Sequence, residues 1–180
     1  KFLQFNPRTV TRIAQQIRAL GFEGMVASLE EPKEFNRQIG TLFKKWLSKI
    51  GYPFLLEENF VKTQEIAFLE GSDGKLKTFA NTTLGCRLEK APDFIAKVQG
   101  KYVVGEAKFL THSGGHQDNQ FKDAMRLLAG KKGKAERVAI LDGVVWIKSS
   151  TKMYKRICEL ERPSLSALLL KEFLESLKRG

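Results

Sequence analysis

The apolar positions of this chain change period along its length, and each change marks the border of an element. From residue 7 to about 20, Val10, Ile13, Ala14, Ile17 and Leu20 recur at helical spacing, with Asn6 as N-cap, Pro7 at the first helical position and Gly21 ending the run. A second stripe of Phe35, Ile39, Leu42, Phe43, Trp46, Leu47 and Ile50 predicts a helix over 32–50. Lys33, Arg37, Lys44, Lys45 and Lys49 lie mostly off that stripe, and Gly51 closes it. Between 52 and 80 the period is lost: short apolar runs surround a Gly-Ser-Asp-Gly turn at 71–74, which fits strands or a hairpin, although 76–84 fits a short helix equally well.

Two strands follow, 93–98 and 102–109, rich in β-branched and aromatic residues and joined by the tight turn Gln99-Gly100-Lys101. Phe121, Ala124, Met125 and Leu128 then predict a helix that Gly130 stops. The run "RVAILDGVVWI", 137–147, is nearly all apolar, as a strand buried on both faces requires. Two helices close the chain, over about 151–160 and over 164–177, the second started by Pro163. The order predicts an α/β fold with a central mixed β-sheet flanked by helices.

Composition narrows the partners. The 180 residues, 42% hydrophobic, suffice for one well-packed core, so a single domain over 1–180 is expected; a start at Lys1 rather than Met leaves room for upstream residues. Lys+Arg number 31 against 20 Asp+Glu, and the formal net charge of +11 favours a polyanion such as nucleic acid. Cys86 and Cys158 stand far apart without a CxxC pair, which argues against a disulfide scaffold or a zinc knuckle and fits a cytoplasmic protein. No run approaches the length of a membrane span.

Against that background, "APDFIAKVQGKYVVGEAKFLTHSGG" is anomalous, because it puts carboxylates on apolar strands where an unpaired charge is costly to bury. On a strand Glu106 and Lys108 share a face, and Asp93 opens the neighbouring strand. Carboxylate oxygens suit Mg²⁺, and phosphodiester hydrolysis uses such an ion to polarise the phosphate and acidify a water. Asp93 and Glu106 would hold the metal, the Ala107 carbonyl would add a ligand, and Lys108 would orient or deprotonate the water or stabilise transition-state charge. The bland alternative is an ion pair at an exposed strand end.

Pro92-Asp93, the 12 residues 94–105 and then Glu106-Ala107-Lys108 resemble the PD-(D/E)xK nuclease motif, and within that superfamily the chain is most similar to type II restriction endonucleases. The resemblance covers about 32–150 and implies a restriction-endonuclease-like core, a Mg²⁺ cofactor, double-stranded DNA as substrate and a homodimer that cuts both strands of a palindrome. Similarity of the second helix to the family's N-terminal core helix implies a further catalytic acid, for which Glu34 is the match. Two rivals stay open: a structure- or damage-directed repair or recombination nuclease, and a non-catalytic nucleic-acid-binding module.

The remaining candidates concern DNA binding. His112 and His116 are four apart, but Ser113-Gly114-Gly115 between them breaks a helix, so a phosphate or base contact fits better than zinc. Gln117, Asn119 and Gln120 carry amides able to read adenine, and the glycines let the backbone approach a groove. In "GKKGK", Lys131, Lys132 and Lys134 suit phosphates, and no Walker pattern is present. Trp46 and Trp146 lie in apolar runs and read as core.

Overall fold

In a computed structural model, which describes residues 7–30, 35–111, 114–130 and 133–178, the two central strands form the middle of a six-stranded mixed sheet. The strands are β1 (Phe54–Leu55), β2 (Ala67–Leu69), β3 (Phe94–Val98), β4 (Lys101–Leu110), β5 (Ala135–Gly143) and β6 (Ser164–Leu165), and they lie side by side in chain order. β3 is antiparallel to both β2 and β4; β1–β2, β4–β5 and β5–β6 are parallel. Flanking them are α1 (Pro7–Glu30), α2 (Phe35–Leu47), α3 (Glu57–Phe60), α4 (Asp73–Thr82), α5 (His116–Ala129), α6 (Lys152–Cys158) and α7 (Leu170–Ser176).

Both faces of the sheet are covered, which is why its inner strands read as continuous apolar runs. On one face Phe68, Phe94, Val103, Val138 and Ile140 pack with Leu47 of α2 and with Leu170 and Leu174 of α7. On the other, Ile95 and Val104 meet Leu76, Phe79 and Ala80 of α4, while Leu110, Ala139 and Leu141 meet Phe121, Ala124 and Leu128 of α5. Phe60, Phe68 and Phe94 are fully buried, each worth about 1.5–3 kcal/mol in apolar transfer. The β3–β4 turn has positive φ at Gln99 (46°) and Gly100 (83°), as a tight hairpin turn between twisted strands needs.

Several borders differ from the sequence expectation. At Gly21 the backbone leaves helical geometry (φ 67°, ψ 177°) as expected, but the helix then resumes to Glu30. The expected N-cap Asn6 and the start of the second helix at 32 lie outside the described residues. No hairpin forms in 52–80, because β1 and β2 pair in parallel with α3 between them. Ser72, read as part of a turn, caps α4 by accepting the Lys75 N–H at 3.4 Å.

The strand expected over 137–147 stops at Gly143, where φ is 96° and a side chain would meet the Leu110 carbonyl oxygen at 2.1 Å; Val144–Trp146 is a 3₁₀ turn. The helix expected over 164–177 begins only at Leu170. Ser164 and Leu165 instead complete the sheet edge, and the Pro163 carbonyl accepts the Ala139 N–H at 3.1 Å. Backbone groups along β5 need partners, and this pairing outweighs the helical spacing of the side chains.

Candidate active site

Asp93, Glu106 and Lys108 meet where β3 and β4 separate. Strand pairing ends at Phe94 opposite Gly105, where the N–H of Asp93 donates to the Gly105 carbonyl at 2.9 Å. Beyond it the Asp93 side chain takes over from the ladder: its Oδ2 accepts the Ala107 N–H at 2.7 Å. Because the N–H and C=O of one residue leave a strand on the same side, the Ala107 carbonyl faces that same gap. Lys108 Nζ donates to Glu106 Oε1 at 2.6 Å, so the two side chains share one face of β4.

Electrostatics mark the cluster as strained in charge. Burial pushes the Asp93 carboxyl above its ordinary pKa, against the Ala107 hydrogen bond and the positive charges of Lys108 and Lys44. Glu106, only 9% exposed, is raised by burial first and by the negative charge of Asp93 second, with Lys108 opposing. Burial works to lower Lys108, yet the neighbouring carboxylates, Glu106 foremost, outweigh it and raise the ammonium's pKa. Lys108 is therefore held as a cation at neutral pH.

The segment leading into Asp93 is pinned from two sides. The Asn81 side chain both donates to and accepts from the Leu88 backbone, at 2.9 and 2.6 Å. Buried Arg137 on β5 donates to the Cys86 carbonyl at 2.6 Å and to the Leu127 carbonyl at 2.9 Å, tying this segment to the end of α5.

Three charged groups that sequence reasoning did not single out adjoin the carboxylates. Lys44 of α2 donates to Asp73 of α4 at 2.7 Å, and both charges act on Asp93. Asp123 of α5 acts on Glu106 and Lys108; it accepts from Lys90 at 2.6 Å and from Arg126 at 2.9 Å. Helical spacing could have shown Asp123 lying off the apolar stripe of α5, but only tertiary packing brings it to the strands.

The expected DNA contacts divide. Gln117 is 4% exposed and its carboxamide oxygen accepts the Thr111 N–H at 3.1 Å, so in the protein without DNA this side chain is turned inward. Asn119 is exposed and Gln120 half-buried, on the first turns of α5. Lys134 is exposed, with its N–H donated to the Leu84 carbonyl at 3.0 Å. Glu34, His112, Lys131 and Lys132 lie outside the described residues, as does the side chain of His116. Trp46 and Trp146 pack against the core, and the Trp146 indole donates to the Leu141 carbonyl at 2.7 Å. A cavity of about 620 Å³ reaches Lys108 past Leu42, Phe43, Trp46 and Trp146, a lining too apolar for a polyanion.

Among the described residues no three His, Cys, Asp or Glu side chains gather as a metal-binding group. Mg²⁺ does not require one, since it keeps several waters and commonly takes only one or two carboxylates together with substrate phosphates. Two buried, mutually repelling carboxylates and an adjacent carbonyl form an all-oxygen donor set of that kind.

A six-stranded mixed sheet flanked by helices, with this acid, acid and lysine order on its central strands, defines a restriction-endonuclease-like PD-(D/E)xK protein. The family model described as Tsp45I type II restriction enzyme matches residues 1–177, and the chain belongs to that family, which makes it an endonuclease of the restriction type. Neither the curated proteins nor the solved structures compared with the chain give a match. No helix among the described residues is long and apolar enough to cross a membrane.

Proposed function

We propose that this protein is a single-domain, Mg²⁺-dependent type II restriction endonuclease that makes sequence-specific double-strand cuts in DNA. Supporting this is one observation above the others: Asp93 is tied to the Ala107 N–H at 2.7 Å and Lys108 to Glu106 at 2.6 Å, so one chemical cluster assembles from two strands. Asp93, Glu106 and the Ala107 carbonyl would hold Mg²⁺, which when bound polarises the scissile phosphate and lowers the pKa of the attacking water. The Asp93–Ala107 hydrogen bond fixes one carboxylate, and the Lys108 ammonium fixes the other. Lys108 also stands ready to orient that water or to stabilise charge developing on the phosphate.

A homodimer, with each subunit cutting one strand, is the simplest assembly for a palindromic site, and a reducing cytoplasm suits its free cysteines. Glu34 is proposed as an additional catalytic acid on the strength of the family resemblance.

The test is incubation of mixed-sequence plasmid with wild type and with Asp93→Ala, Glu106→Ala and Lys108→Ala in Mg²⁺. Discrete bands from wild type are expected, with no cutting by the three variants and DNA binding still measurable. A smear would replace this reading with a non-specific repair nuclease. Intact DNA with a gel shift would replace it with a binding module. Wild-type cleavage by Asp93→Ala or Glu106→Ala would overturn the site assignment.

A further inference from the structure

Asp123 holds two cations from different parts of the chain beside the carboxylate cluster. Lys90 comes from the segment that leads into Asp93, and Arg126 from one turn further along α5. Both are largely in solvent, at 70% and 71% side-chain exposure, whereas Asp123 between them is at 22%. Ion pairs so open contribute little to stability, so folding alone does not account for the convergence. Within this triad the charges do not cancel: two cations share one carboxylate.

We propose that Lys90 and Arg126 form a phosphate-binding subsite, gathered by Asp123, that takes a backbone phosphodiester of the DNA adjoining the scissile one. The inference rests on the nuclease reading of Asp93, Glu106 and Lys108. Arg126 has donors beyond the one it gives Asp123, and a guanidinium presents them in a fork that matches two phosphate oxygens. Lys90 adds a point charge whose three protons can be shared between carboxylate and phosphate. Asp123 acts as a positioning residue: without DNA it keeps both long side chains at the mouth of the site, which lowers the ordering cost of binding.

The experiment measures binding of a fluorescent mixed-sequence duplex by the full chain in EDTA, across a series of salt concentrations, alongside plasmid cleavage in Mg²⁺. Lys90→Gln and Arg126→Gln are each expected to lower the log–log salt slope by about 0.9, and the double variant by about 1.8, with melting temperatures unchanged. Arg126→Lys keeps the charge and is expected to keep the slope. A double variant with the wild-type slope would overturn the subsite, and if wild type still cuts plasmid the nuclease reading survives that failure. A wild type that leaves plasmid intact in Mg²⁺ would sink the nuclease reading instead, while the slopes still decide whether these cations contact phosphate.

Discussion

The ring of Phe94 occupies the space where Gly105 would carry a side chain: a Cβ built on Gly105 falls 2.1 Å from Phe94 Cε1 and 2.2 Å from its Cζ. Phe94 follows Asp93 and Gly105 precedes Glu106, so this close approach lies one residue from each acid. Gly105→Ala is expected to destabilise the fold by about 1–3 kcal/mol through overpacking and to reduce cleavage beyond what lost stability explains. Denaturant unfolding and plasmid cleavage of the same preparation check both effects.

The carboxylates give a pH dependence whose sign is fixed. Both Asp93 and Glu106 hold their protons to higher pH in the folded state than in the unfolded chain. From about pH 4, where free carboxylates ionise, up to the raised folded values, the native state binds more protons and metal-free stability falls as pH rises. Lys108 acts at the other end, contributing stability that is lost only as pH climbs through its raised folded value. Asp93→Asn retains an oxygen for the Ala107 N–H and removes one buried charge, so it is expected to add about 1 kcal/mol to metal-free stability at neutral pH while abolishing cleavage. Melting curves with and without Mg²⁺ read this out: the ion should raise the wild-type midpoint and leave that of Asp93→Asn nearly still.

Calcium separates binding from chemistry. Its looser oxygen shell is expected to support tight, specific DNA binding without cutting, and later addition of excess Mg²⁺ is expected to start cleavage. Cleavage in Ca²⁺ at the Mg²⁺ rate would contradict the assigned metal chemistry.

For the loop lysines, joint neutralisation of Lys131, Lys132 and Lys134 is expected to weaken binding to all sequences alike. The salt slope should drop by about 0.9 for each phosphate that these lysines no longer neutralise. An unchanged slope would show that this loop faces solvent in the complex.

The amides at the start of α5 are expected to behave differently from one another. Asn119→Ala or Gln120→Ala should cost about 1–3 kcal/mol on the cognate site and little on unrelated DNA, if the side chain pairs with adenine in bidentate fashion. Gln117→Ala should instead lower stability by about 1 kcal/mol, because the part-buried bond from the Thr111 N–H to its carboxamide oxygen is lost, and should keep the cognate to non-cognate ratio unchanged. Titrations on two duplexes at one salt concentration distinguish the cases.

What the sequence disclosed followed from local physics. The strands carrying Asp93, Glu106 and Lys108, their tight turn and the helix after them are set by side-chain period and turn residues, so they were legible. The edge strand Ser164–Leu165 was not, because a helical spacing of leucines says nothing about the unpaired backbone of β5 that draws this segment in. Asp123, Lys44 and Asp73 escaped notice for a related reason: each sits on a polar helix face like any solvated charge, and only helix docking brings it near the acids. Gln117 illustrates the reverse, an amide chosen for its chemistry that is buried in the protein without DNA, with its oxygen accepting the Thr111 N–H.

The two-residue turn between β3 and β4 also bears on how the site comes into being. Closing so short a loop costs little chain entropy, and hairpins of this kind form in microseconds, far faster than helices dock across a sheet. Asp93 and Glu106 lie at the far end of that hairpin, so the metal-binding acids are neighbours as soon as it zips shut. Lys44, Asp73 and Asp123 arrive from three separate helices and need the finished fold. The acidic pair is thus brought together by contacts local in sequence, whereas the outer charges that act on it depend on tertiary packing.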